Sequence, residues 1–243
     1  MLKKLFGMLA GANAGLAASP SAAQPSSPAP SAQADPLAGA KLGAQAVFER
    51  LVRAMKNDKG VHAESLLCAL GALAGYACQA SLRADALAKG LPEQAYLTEV
   101  GTRDGKKFFF GEALNKPLAE SKLSVWNIAA GAASQAGCAT PPDLAEIFKH
   151  SSQVVGSPQF GVPRLPAGHP TGDLPINYVR AFWPALLPEV SKTCPTPDLW
   201  PVVYALAIVH AITVARSTLD PCVALTIVME SAVPMSKIDL GAA

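Results

Sequence analysis

The chain has 243 residues, of which half are apolar, 6% aromatic and 16% charged, and this length is enough to bury a core. Its formal net charge of +2 gives no strong field for a polyanion, so the composition predicts no binding to nucleic acid. Because Ala supplies much of the apolar fraction, we expect helices packed closely through small side chains.

The chain begins with an apolar stripe formed by Leu2, Leu5 and Phe6, beside two lysines. We interpret residues 1–18 as a short amphipathic helix that docks on a protein partner or a membrane surface. So short a helix is not stable alone, which is why it requires a partner. This interpretation goes with a cytoplasmic protein.

The same lysines and apolar residues also fit a secretory signal, with a cleavage site near Ser21-Ala22-Ala23. If residues 1–23 act as a signal peptide, the protein is periplasmic or secreted. The following segment, residues 19–40, is rich in Pro, Ala and Ser and predicts a disordered tether to a folded body at residues 41–240.

The folded body starts with an amphipathic helix over residues 40–56 and continues with its central element, Val61 to Arg83. Between Glu64 and Arg83 this second segment has no charge, which predicts a helix buried on all sides. Gly71 and Gly75 lie on one face and allow another helix to approach closely. A further small-residue helix, residues 117–136, is the expected partner of these glycines.

A β-hairpin is predicted near residues 94–110, from two short β-type runs joined by a turn containing Asp104-Gly105. A two-stranded hairpin is marginal alone, so its phenylalanines are expected to pack on helices. Its free edge offers a way to form a homodimer.

The C-terminal half predicts three further apolar helices and one shorter helix that runs from Thr140 to about Gln153. In the helix from Pro175 to Val190, Pro184 is expected to cause a kink or a break. Within the helix predicted at residues 199–216, the apolar run WPVVYALAIVHAITVA has 16 residues, which is shorter than a bilayer span and predicts a core helix. A last helix follows Asp220-Pro221, with Asp220 as its N-cap.

The five cysteines are odd in number, and Cys68, Cys78 and Cys222 lie in apolar runs, which predicts buried reduced thiols. Cys68 and Cys78 cannot pair on one helix, because ten residues separate them by about 15 Å. Cys222 at a helix start, with His210 as a base, suggests a thiol nucleophile, but Asp220 opposes the ionisation of that thiol.

No catalytic or metal-binding motif is complete in this sequence, and no cofactor is predicted. His62-Ala63-Glu64 matches the first half of the zinc deaminase signature, but Leu225 stands where the last cysteine ligand is required. Spacings typical of other metal sites, of dinucleotide or phosphate loops and of the nucleophile elbow do not occur. His62 and Glu64 are therefore interpreted as the polar first turn of a helix.

The Pro-rich loop at residues 156–175 contains apolar residues that a linker does not need, so we expect an ordered loop pinned to the body. If it folds against the helix ends, a set of basic and aromatic side chains would meet beneath it and bind an anionic small molecule. The candidate ligand-binding residues are Arg83, Arg164, His169, Tyr178, Arg180 and Trp183.

Four stretches of the chain, HAESLLCALGALAGYACQ, DGKKFFFGEALNKPLAESKLSVW, FGVPRLPAGHPTGDLP and VMESAVPMSK, resemble a family of uncharacterised bacterial proteins over residues 60–240. This resemblance implies no activity. The sequence therefore predicts a mostly α fold, in a single multi-helix domain with one hairpin behind a disordered tether. Its function is predicted as a non-catalytic interaction or adaptor protein, with the anion-binding protein or enzyme as the rival.

Overall fold

The computed structural model describes residues 35–241, and these residues are mostly helical with one antiparallel hairpin. The predicted fold class is confirmed. The predicted docking helix, signal peptide and most of the tether lie outside the described residues. The elements are α1 (Ala38–Met55), α2 (Ala63–Ala88), β1 (Thr98–Gly101), β2 (Lys107–Phe110), the single turn α3 (Glu112–Asn115), α4 (Val125–Ala136), α5 (Leu144–Gln153), α6 (Pro175–Thr193), α7 (Trp200–Ala215) and α8 (Pro221–Met235).

Helix α2 is the centre of the fold, as its uncharged sequence predicts, and α6, α7 and α8 pack around it. The close approach at its two glycines is made by α8. A Cβ atom added at Gly71 would lie 2.5 Å from the carbonyl oxygen of Val228, and one at Gly75 would come nearer still to that of Ala232. The prediction that the helix at 117–136 faces these glycines is therefore wrong. That helix packs instead against α7 and part of α8.

Two of the predicted helices begin later than expected because a different side chain provides the N-cap. The segment predicted from residue 117 contains a π-helical turn, Lys116–Glu120, and α4 starts only after Ser124, whose hydroxyl accepts from the backbone N–H of Asn127. Helix α5 likewise starts after Asp143, whose carboxylate accepts from the N–H of Glu146, and not at Thr140.

Helix α6 continues through Pro184 and Pro188, so the predicted break does not occur. Each proline removes one backbone N–H and leaves the carbonyl four residues earlier without its helical partner. Both prolines and Arg180, which carries one of these carbonyls, are solvent-exposed. Water can therefore bond the free carbonyls, and the helix tolerates both prolines on its outer face.

The predicted hairpin is confirmed, with Thr98 opposite Phe110 and Gly101 opposite Lys107. Its phenylalanines pack on the body, as expected for so small a sheet. The C-terminal segment occupies the outer edge of β2, since the N–H of Phe109 donates to the carbonyl of Lys237 at 2.8 Å. Among residues 35–241, no backbone pairing covers the outer edge of β1, which is the edge available for the predicted pairing of two copies.

A disulfide joins Cys138, after α4, to Cys222 in the first turn of α8. The prediction of a reduced Cys222 is wrong, and with it the prediction of a thiol nucleophile assisted by His210. The cysteine count alone could not reveal this pair, because 84 residues separate its members. Cys68 and Cys78 are buried free thiols, as predicted, and Cys194 is a third.

Two described helical segments, residues 63–88 and 197–215, are long and apolar enough to cross a membrane by length and composition. Both are largely covered by other helices, 89% of the apolar window being buried in the first and 61% in the second. This burial is what a core position requires of such segments.

Candidate functional site

The Pro-rich loop is pinned to the body by a buried carboxylate. Glu230, on α8, has a side chain only 7% exposed, and it accepts three hydrogen bonds from Arg164. The backbone N–H, Nε and Nη2 of that arginine lie 3.2, 3.0 and 2.7 Å from its oxygens. Burying a carboxylate is costly unless it is paired in this way. Arg164 is therefore a structural anchor and not a free anion contact.

A second anchor connects the loop to the start of α2. Glu64 lies between two histidines, with its carboxylate oxygens 3.1 Å from Nδ1 of His169 and 3.3 Å from Nε2 of His62. Burial by itself would raise the pKa of Glu64, but the hydrogen bond from His169 and the two nearby imidazoles outweigh it, and the pKa is lowered. His169 is thus paired with an acid and helps to hold the loop on α2.

Sequence reasoning missed Ser65, which completes a serine–histidine–glutamate chain at this helix start. Its Oγ lies 2.9 Å from Nδ1 of His62, whose Nε2 faces Glu64. Contacts of this kind activate a nucleophile only where a substrate can reach the hydroxyl. The loop covers Ser65, since a Cβ added at Gly172 would lie 2.7 Å from its Oγ. His62 instead caps α2, accepting from the N–H of Ser65.

The other predicted ligand-binding residues do not meet at one place. Arg83 pairs with Glu93 at 3.1 Å and lies over the ring of Phe109. Tyr178 donates its hydroxyl to the carbonyl of Thr171, within the loop. The residues of the predicted set that remain are Trp183, which is buried between Tyr76 and Tyr204, and Arg180, which is exposed.

The structure does not bring the predicted residues together beneath the loop, and the anion site there stays a prediction. The cavity that the loop does border, about 860 Å³ and open to solvent, is lined by residues between Val162 and Leu174. His169 is among them, but neither Arg164 nor Arg180 is. Three of the six predicted residues, Arg164, His169 and Tyr178, make contacts that hold the loop in place.

An unpaired lysine is buried just after the C-terminal end of α8. The Lys237 residue is 2% exposed and its ammonium lies over two phenylalanine rings, 5.0 Å from the centroid of Phe110 and 5.4 Å from that of Phe148. No acidic side chain of residues 35–241 pairs with it. Burial lowers the pKa of Lys237 to about 8.

Replacing Lys237 with Met is expected to raise the free energy of unfolding at pH 7 by about 2–3 kcal/mol. Below pH 8 the lysine is charged in both states, and the full cost of burying the charge is present. Between pH 8 and its ordinary value of 10.5 the folded protein gives up the proton first, so the cost disappears as pH rises. Urea unfolding should show that the difference in free energy of unfolding between the variant and the wild type is smaller at pH 10 than at pH 7.

The exposed Lys122 is the control position, because Lys122→Met removes a charge that is already in water. That substitution should change stability equally at both pH values. A gap between Lys237→Met and wild type that stays constant from pH 7 to pH 10 would contradict the assigned cost of burial.

A surface groove lies between α1, the start of α2 and the end of α7, and its lining is almost entirely apolar. Its volume is about 450 Å³, within the range of known ligand and peptide sites. Val214 is 71% exposed at the groove, whereas Leu66 beneath it is 7% exposed. The lining consists of Phe48, Val52, Val61, Ala63, Leu66, Ala211, Val214, Ala215 and Thr218.

One edge of this groove carries an aromatic contact. His210 is exposed, and its ring packs edge-on against Phe48 at 5.6 Å. The chain segments that supply the lining also carry exposed charged residues next to it in sequence. These are the cations Arg53, Lys56, Lys59 and Arg216 and the acids Glu49 and Asp58.

Across residues 35–241, no group of three His, Cys, Asp or Glu side chains is placed to hold a metal ion. Comparison with known proteins adds no assignment, since no family model, curated protein or solved structure matches the chain.

Proposed function

We propose that this protein is a non-catalytic interaction protein that binds an amphipathic helix of a partner protein in the groove between α1 and α7. The single observation that carries the proposal is the groove itself. Its apolar lining stays open to water, although the rest of the core is closed around α2. An apolar helix face laid into a groove of two helices is a common mode of recognition.

The charges beside the groove define the partner helix further. The segments that supply the groove's lining carry four exposed cations and two exposed acids, so a partner with acidic residues flanking its apolar face would be attracted there. The protein's own N-terminal segment carries Lys3 and Lys4 and no acid, so it is the poorer match. The acidic amphipathic helix of another protein is therefore the proposed occupant.

The proposal is tested with two synthetic helical peptides that share one leucine face and differ in having Glu or Lys on the other. The full chain should bind the Glu peptide and bind the Lys peptide at least about tenfold more weakly. Val214→Asp should remove binding of the Glu peptide, because it places a charge in the apolar groove. The variant should remain folded, since Val214 is largely exposed.

The matched control is Leu87→Asp, which changes an apolar residue 82% exposed on α2, outside the groove. Leu87→Asp should leave binding of the Glu peptide unchanged. Equal loss in both variants, equal binding of both peptides, or no binding at all would each refute the proposal. Binding to anionic vesicles alone, abolished by Val214→Asp, would assign the groove to a membrane surface instead.

The N-terminal stripe of Leu2, Leu5 and Phe6 remains a proposed second contact, with a protein partner or a membrane surface. Whether the mature protein keeps this stripe depends on the compartment in which it resides. The Cys138–Cys222 disulfide supports the alternative of a periplasmic or secreted protein over a cytoplasmic one, because disulfides persist in oxidising compartments. In that case residues 1–23 would be removed, and the groove would be the interaction surface that remains.

A further inference from the structure

A second, smaller cavity lies on another part of the surface, between the hairpin and α6. It measures about 190 Å³ and is closed on four sides by β2, the beginning of the Pro-rich loop, the first turns of α6 and the C-terminal segment. The apolar walls are Phe108, Phe160, Ile176 and Ile238, and the rings of the two phenylalanines pack edge to face at 4.9 Å.

The polar residues of this cavity are predominantly cationic. Lys106, Lys107 and Arg180 line it, against the single carboxylate of Asp239. Lys106 pairs with Asp104 and Lys107 with Glu99, both in the hairpin. Arg180 is the exception, because no acidic side chain within residues 35–241 pairs with it.

The positions of these elements are fixed by local contacts. A Cβ atom added at Gly156 would lie 2.8 Å from Cγ2 of Thr102, so the loop begins in direct contact with the hairpin turn. Gly156 also has a φ of 78°, a conformation that glycine adopts without strain. The walls of the cavity are thus held by the packed hairpin and the pinned loop.

We infer that this cavity binds a small aromatic carboxylate, with the carboxylate on Arg180 and the ring against Phe108 and Phe160. A planar guanidinium offers two parallel N–H donors to a carboxylate, and within residues 35–241 no acidic side chain, Asp239 included, forms an ion pair with Arg180. Phenylalanine edges and faces favour an aromatic group over a polar one. The volume fits a single ring, since a cavity of about 150 Å³ is known to hold benzene.

This site is separate from the predicted cluster beneath the loop, of which it keeps only Arg180. It is also independent of the groove, because the two share no residue. Failure of either proposal leaves the other standing.

Benzoate is the test ligand, titrated into the full chain and followed by isothermal calorimetry and by NMR shifts of residues around Phe108. Benzamide has the same shape without the charge, and acetate has the charge without the ring. Both should bind at least about tenfold more weakly than benzoate, since each lacks half of the recognition. Arg180→Gln should weaken benzoate binding by about tenfold or more.

Arg103→Gln is the matched control, because Arg103 is an exposed arginine in the hairpin turn that does not line the cavity. This variant should bind benzoate as the wild type does. Unchanged affinity in Arg180→Gln, equal affinity for benzamide or acetate, or the absence of benzoate binding would each overturn the inference.

Discussion

Replacing Gly75 with Ala is expected to destabilise the protein by about 3 kcal/mol, which is a large effect for the addition of one methyl group. The added Cβ, bonded directly to the backbone of α2, would overlap the carbonyl oxygen of Ala232, which belongs to the backbone of α8. Neither can move without separating α2 from α8 along their contact. Urea unfolding followed by circular dichroism measures the loss directly.

The matched control is the same substitution at Gly131, in α4, where no atom lies within 4 Å of an added Cβ. There Ala should stabilise the protein by about 0.5–1 kcal/mol, since it favours the helix more than Gly does. A Gly75→Ala variant as stable as the wild type would disprove the close packing of α2 on α8.

Replacing Arg164 with Ala is expected to cost about 3 kcal/mol of stability, through the carboxylate it leaves behind. Glu230 is almost fully buried and takes two of its three hydrogen bonds from the Arg164 side chain. Removing one partner of a buried ion pair is costly because the other partner stays in the interior without compensation. Thermal or urea unfolding measures the loss of stability. Limited proteolysis should show that the Pro-rich loop of the variant is cut more readily than that of the wild type.

Arg180→Ala provides the comparison, because the sequence assigned both arginines to one ligand site. Arg180 is exposed and forms no ion pair within the described residues, so its replacement should change stability by less than about 0.5 kcal/mol. If both variants were equally stable, Arg164 would not be the anchor of the loop.

Local patterns in the sequence predicted the elements well where one chemical cause dominates. An uncharged stretch of Ala, Gly and Leu has to be buried, which identified α2. Asp104-Gly105 supplied the turn of the hairpin, and Asp220-Pro221 the start of α8. Even the use of Gly71 and Gly75 for close contact followed from their spacing alone.

Pairings between distant parts of the chain were not predictable in the same way. Several helices have small-residue faces, so nothing local determines that α8, and not α4, meets Gly75. The same holds for the Cys138–Cys222 disulfide and for Glu230, whose buried carboxylate takes Arg164 out of the predicted ligand site. A charged residue within the apolar run of α8 was the one signal that could have suggested a buried partner.

The groove between α1 and α7 had no sequence signature, because its lining residues also fit an ordinary helix core. Phe48 and Val52 form part of the apolar stripe of α1, and only the packing shows that this part of the stripe stays uncovered. The function proposed for the groove is therefore tested by observing an occupant directly.

The most direct test of the proposed function is an isotope-filtered NMR experiment on the full chain with the Glu-faced peptide. Binding in the groove should give nuclear Overhauser contacts from the peptide's leucine methyl groups to the ring of Phe48 and the methyl groups of Val214. Contacts confined to other surfaces, or none while the peptide is bound, would contradict it.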